Sequence, residues 1–129
     1  MSTLFTKIIN GEIPAHKIHE DDRFLAFLDI RPINPGHTLV IPKQEIDYFF
    51  DLDDEQLGAI MVFSKPIAKA IEKSVTCKRI GMIVAGLEVP HAHLHLVPIT
   101  GEGDINFAHA RPADQEELTA LAKKIRSNL

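Results

Sequence analysis

Cysteine is nearly absent from this chain of 129 residues: there is one, Cys77. A single cysteine cannot close an internal disulfide, so nothing argues for an oxidising compartment. It lies in the charged turn SVTCKR, which reads as a surface thiol rather than a nucleophile. Excess positive charge is also lacking. Fourteen Lys and Arg face eighteen Asp and Glu, for a net charge of −4. A nucleic-acid binder of this size needs a basic face. The two basic clusters present, Lys78-Arg79 and Lys123-Lys124 with Arg126, read as solvated surface. No apolar run approaches the roughly 18 residues of a membrane span. The opening MSTLFTKIING has neither the apolar segment nor the cleavage pattern of a secretory signal. Cytoplasmic placement, no membrane and no nucleic-acid partner are therefore expected. Repeats, low-complexity tracts and linkers are missing as well. With 45% hydrophobic and 25% charged residues, residues 1–129 read as one globular domain.

What is present is punctuation. Residues 3–10 have the pattern of a short helix, with Ser2 or Thr3 as cap, an apolar stripe through Leu4 and Ile8, with Phe5 as a further candidate, and Gly11 after its end. Ile13-Pro14 then forces extended backbone. Strands are expected at Lys17–His19 and Phe24–Asp29, separated by the acidic turn Glu20-Asp21-Asp22. The loop RPINPG, residues 31–36, must be irregular, and HTLVIP, residues 37–42, has the β-branched content of a strand. Residues 53–75 carry helical periodicity through Ile60, Phe63, Ile67 and Ile71, with Asp53 or Asp54 as cap. Pro66 inside that run predicts a kink or break near residue 64. Strands near Arg79–Val84 and His91–Val97, an irregular stretch 100–112 and a helix over 113–127 complete the order. Strands in runs with few crossovers predict an α+β fold, an antiparallel sheet with helices packed on it.

One segment carries chemistry: VPHAHLHLVPI, residues 89–99. His91, His93 and His95 alternate with Ala92, Leu94 and Leu96, the period of a strand. All three imidazoles then share one face, about 7 Å apart at their origins, and the apolar residues share the other. Imidazole is the side chain that gains or loses a proton near neutral pH without help. Three readings compete: a His-rich surface strand, a metal site with His37 or Asp29 as third ligand, and covalent phosphoryl chemistry on an imidazole nitrogen.

HAHLHLV has the form His-φ-His-φ-His-φ-φ, with φ apolar, and so resembles the signature of the histidine triad family. FTKIINGEIPAHKIHEDDRFLAFLDIRPINPGHTLVIPK, residues 5–43, is similar to the opening half of that family's nucleotide-binding branch. The likeness runs from about residue 4 to residue 100; the tail is less diagnostic. It implies a five-stranded sheet, a homodimer, and cleavage of nucleoside monophosphate conjugates (phosphoramidates, acyl adenylates or dinucleoside polyphosphates) with a purine nucleotide as the bound part, no metal and no cofactor. By position, His93 is implied as the nucleophile that forms a nucleotidyl-histidine. Its other ring nitrogen would bond a backbone carbonyl of the same strand. His95 is implied as a contact to the phosphate or leaving group, with His91 and His37 in support. Asp29 matches a ribose ligand. Ile13, Phe27, Leu28 and Ile30 match a base pocket, and the backbone of Gly86, Glu88 and Val89 could cradle a phosphate oxygen. His16, His19 and His109 lack triad spacing and read as surface.

Three positions depart from the family pattern. Ile80 stands where an Asn is common, and Leu87 and Glu88 where Gln and a small hydroxyl residue are common. A carboxylate at position 88 should repel a bound phosphate unless it faces a cationic leaving group. Two other readings remain from the sequence: a nucleotide-binding sensor with little turnover, and a zinc-dependent hydrolase.

Overall fold

The computed structural model describes residues 2–129. Its elements run α1 (Leu4–Ile9), β1 (Lys17–Glu20), β2 (Phe24–Leu28), β3 (Thr38–Pro42), α2 (Asp54–Ser74), β4 (Arg79–Ile83), β5 (Leu94–Ile99) and α3 (Gln115–Ser127). The five strands form one antiparallel sheet in the order β1-β2-β3-β5-β4. The three helices begin where the capping residues put them. Thr3, Asp53 and Asp114 each accept a hydrogen bond from the amide three residues on, which satisfies a donor the helix leaves open.

Alternation along the strands separates two cores. Phe24, Ala26 and Leu28 of β2 join Leu94 and Leu96 of β5 beneath α2 and α3, which contribute Ile60, Ile67, Ile71, Leu118 and Ile125. On the other face Leu25 and Phe27 meet Leu39, Ile41 and the α1 residues Phe5 and Ile8. The α1 stripe is thus Phe5 and Ile8, while Leu4 stays half exposed. The sequence pattern had centred that stripe on Leu4 and Ile8.

Two expectations are corrected. The helix over residues 54–74 continues unbroken through Pro66. Proline there removes the amide that would bond the Val62 carbonyl. Both Pro66 and Val62 are on the exposed side, where water can serve that carbonyl. The last strand begins at Leu94 rather than His91. Register places Val40 opposite Leu94 and Leu39 opposite His95, so Ala92 would fall opposite Pro42. Pro42 has no amide to donate, and the ladder ends before that pair. Residues 91–93 are held instead by Ala92 N–H donating to Ile46 O and by the His91 ring on Pro42 O. The stretch after β5 contains two 3₁₀ turns, Glu102–Asp104 and Phe107–His109. No described helix is long and apolar enough to cross a membrane.

Candidate active site

The three histidines of the run lie on the α1 side of the sheet, and all are buried. Phe5 sets its ring edge-on to both His91 and His93, with centroids 5.8 and 5.0 Å away. His93 and His95 are 5.0 Å apart by centroid. The alternation therefore does place the imidazoles on one face, although only His95 belongs to the regular strand.

Hydrogen bonds decide which nitrogen of each ring carries the proton. His93 Nδ1 lies 2.7 Å from the His91 carbonyl oxygen. A carbonyl can only accept, so Nδ1 holds the proton and Nε2 keeps its lone pair. His91 Nε2 donates in the same way to Pro42 O at 2.8 Å, which leaves Nδ1 as the acceptor for the Thr3 hydroxyl at 2.9 Å. His37 Nδ1 accepts the Ile33 amide at 3.0 Å. Its proton is on Nε2 and is donated to His95 Nδ1 at 2.9 Å. The remaining His95 proton is then on Nε2. His93 thus presents a free lone pair beside an N–H donor of His95.

Burial favours the neutral form of His37, His91 and His95. It holds His37 down to about 4 and His95 to about 3, the latter aided by its neighbours His37 and His93. His91 is also lowered, again by burial first. Desolvation disfavours the charged form of an imidazole.

His93 and His95 open onto a cavity of about 460 Å³ walled by Phe5, Ile8, Ile13, Phe27 and Leu39 on its apolar side and by the 85–89 turn opposite. That volume suits a small ligand. Asp29 and Ile30 are at its rim, with Ile30 largely exposed. Leu28 borders the cavity, but its side chain packs in the helix-side core. The period of two that aims Phe27 inward aims Leu28 away. Asp29 accepts the Arg31 amide at 2.8 Å on Oδ1, and its Oδ2 is 3.6 Å from His37 Nε2. Burial pushes its carboxyl up, and the Glu88 charge adds to that shift. Gly86 takes φ +74°, a conformation that glycine reaches without cost; Leu87, Glu88 and Val89 follow it along the cavity, with Leu87 almost wholly exposed. Ile80 lies away from the cavity on β4.

Several participants carry no local signal. Thr3, Thr6 and Glu45 reach His91 from remote segments. Phe107, from a 3₁₀ turn, packs its ring against His95 at 4.8 Å. The stripe of α1 could have pointed to Phe5; nothing local pointed to the others. His16, His19 and His109 lie outside the cavity wall.

Asp29, His37 and His95 each bring one ligand atom within 4.8 Å of the others. By residue type they could hold a metal ion, with a fourth position open. The tautomers oppose it. A metal needs a lone pair on His37 Nε2, but the Ile33 amide occupies Nδ1 and leaves the proton on Nε2.

The model of the HIT domain matches residues 10–102. The adenosine 5′-monophosphoramidase hnt1 of Schizosaccharomyces pombe is 37% identical over 134 residues, which span 100% of this chain and 99% of that protein. A HIT-like protein from Bartonella henselae, described as involved in cell-cycle regulation, superposes with a TM-score of 0.87 at 35% identity, covering 99% of this chain and 96% of the other. A zinc-bound histidine triad protein from Mycobacterium smegmatis superposes with a TM-score of 0.84 at 30% identity, covering 99% and 93%.

Proposed function

The chain belongs to the HIT domain family of nucleotide hydrolases, and from that premise we propose that it cleaves nucleoside monophosphate conjugates at the α-phosphorus through a nucleotidyl-His93 intermediate. One observation carries the reading. His93 Nδ1 is tied to the His91 carbonyl, so Nε2 offers its lone pair to the cavity.

In this reading the base lies among Phe27, Ile13 and Ile30, and Asp29 accepts from the ribose hydroxyls. Gly86, Glu88 and Val89 border the phosphate with their backbone. His93 Nε2 forms a bond to the α-phosphorus as the bond to the leaving group breaks. The electron pair goes to the leaving atom, which takes a proton from water. His95 Nε2–H donates to a phosphoryl oxygen as charge grows there. A water then adds its oxygen to phosphorus, releases a proton, and returns the lone pair to His93. In this reading no step uses a metal, and what supports that is the His37 tautomer, which turns a proton toward the one cluster of suitable ligands among the described residues.

A homodimer fits the free edge of β4, where Met82 is exposed. Sedimentation of the purified protein tests it, and a monomer at micromolar concentration would remove it. The sensor reading draws on Leu87 and Glu88 in place of polar phosphate contacts, and predicts binding without turnover.

The test is AMP release from adenosine 5′-phosphoramidate and from lysine-linked AMP, with and without EDTA, in wild type and His93→Ala. Release that EDTA leaves intact and the variant abolishes supports the reading. Loss in EDTA favours a zinc hydrolase. AMP binding without release favours the sensor.

A further inference from the structure

A surface carboxylate reaches the buried His91 through two hydroxyls. Glu45 Oε1 accepts the Thr3 amide at 3.0 Å and the Thr6 hydroxyl at 2.6 Å. With the Thr6 proton donated to Glu45, the Thr3 hydroxyl has two acceptors within reach, Thr6 Oγ1 at 3.2 Å and His91 Nδ1 at 2.9 Å; the imidazole lone pair is the nearer. Thr3 Oγ1 in turn accepts the Thr6 amide as the helix cap. The opposite side of the ring is fixed on Pro42 O. The His91 carbonyl is the acceptor that sets the His93 tautomer. Each polar atom of this chain has its partner, and the described residues leave no buried side-chain nitrogen or oxygen unpaired.

We infer that Thr3 is a positioning residue for the reaction proposed above: its hydroxyl, held by the helix cap and aimed at His91 Nδ1, keeps that ring neutral and in place beneath the nucleophile. The physical reason is a choice between two partners. A hydroxyl donating to Nδ1 stabilises the neutral imidazole. A carboxylate in its place would stabilise the imidazolium. Thr3 and Thr6 stand between Glu45 and the ring, and the Glu45 charge already favours the charged form of His91. Without the Thr3 hydroxyl, Nδ1 would be left to take a proton and pair with Glu45. A cation would then sit beside His93 and draw on its lone pair.

The groups that act on His91 are few. Glu45 approaches from the loop after β3, and His93 from its own segment. Lys43, on the same loop as Glu45, is paired 3.0 Å away with Glu20. Thr6, Phe5 and Pro42 supply further contacts and do not titrate.

The inference rests on the proposed function for its kinetic arm but not for its spectroscopic one. Full-length protein carrying ¹⁵N-histidine would be titrated by NMR as wild type, Thr3→Val, Thr3→Ser and the double variant Thr3→Val/Glu45→Gln. The expected result is that the His91 titration moves to higher pH in Thr3→Val, returns in Thr3→Ser, and returns in large part in the double variant. AMP release by Thr3→Val should fall roughly tenfold below about pH 6 and much less above about pH 8, as expected when the neutral form of a coupled group is required. An unmoved His91 signal in a folded Thr3→Val protein, whatever its activity, overturns the inference. So does a shift that Glu45→Gln leaves untouched. If wild type releases no AMP while the His91 titration moves as expected, the proposed reaction fails and the role of Thr3 in holding His91 stands.

Discussion

His37 and His95, 58 residues apart in sequence, share a hydrogen bond of 2.9 Å. Its direction is imposed from outside the pair, by the Ile33 amide on His37 Nδ1. His37 must donate, His95 must accept, and the last proton of His95 is left on Nε2. A backbone amide in the RPINPG loop thereby sets the donor available to a phosphate.

Replacing His37 by Phe removes that donor while keeping a flat ring. His95 Nδ1 then has no enforced partner, and its proton can sit on either nitrogen. The expected outcome is a fall in kcat of roughly 10²-fold, the scale of a misplaced reacting group, with KM changed little. Steady-state AMP release checks this. An equal loss carried entirely by KM would mean that His37 serves binding instead.

The same burial makes stability depend on pH. The folded state holds His37 to about 4 and His95 to about 3, whereas the unfolded chain titrates near 6.5. Between those values the unfolded state binds more protons, so stability rises with pH. The contribution is complete above about pH 6.5 and is lost as pH falls toward about 4 and then about 3. Thermal melts at about pH 7.5 and about pH 5 should show a lower Tm at the acid value. The difference should shrink in a His37→Phe/His95→Phe variant relative to wild type.

In the proposed reaction Asp29 accepts from both hydroxyls of a ribose. Asp29→Asn keeps the shape and removes the charge. Losing charge-assisted bonds costs about 1.5–3 kcal/mol, so KM for the ribonucleotide conjugate should rise by roughly tenfold or more. The 2′-deoxy conjugate should change far less. Equal effects on both sugars would show that Asp29 acts only on the loop, through Arg31.

Glu88 faces the cavity near Asp29 and has no ion-pair partner within reach among the described residues. Glu88→Ser removes a charge that opposes phosphate. AMP should bind severalfold tighter, and the gain should shrink in high salt as screening removes the repulsion. If Glu88 meets a cationic leaving group, the variant should also lose preference for lysine-linked AMP over a conjugate with a neutral leaving group. Calorimetry and competition kinetics read the two effects separately.

Much of this site was legible because its determinants are local. The alternation of His and apolar residues from 91 to 96 requires one face for the imidazoles. Thr3 and Asp53 were each one of two neighbouring cap candidates, and the loop over residues 31–36 could not have been regular. Errors arose where a local rule met a distant neighbour. Pro66 did not end α2, because Ile60, Phe63, Ile67 and Ile71 pack along a continuous face. The last strand started late, because a proline on another strand could not pair. Leu28 borders the cavity while its side chain packs in the helix-side core, because the alternation that turns Phe27 to one face of the sheet turns Leu28 to the other.

The sequence by itself determined which residue types share a surface, since side-chain direction follows from backbone period alone. It could not determine protonation. The proton on each ring follows from what lies opposite each nitrogen: Pro42 O and the Thr3 hydroxyl for His91, the Ile33 amide for His37, the His37 ring for His95. Thr3 and His91 are 88 positions apart. Only packing α1 against the sheet brings such partners to within 3 Å, and a hydrogen bond is decided over that distance. Tertiary structure therefore chose the tautomers of His37, His91 and His95, whereas that of His93 is set by the His91 carbonyl only two residues away.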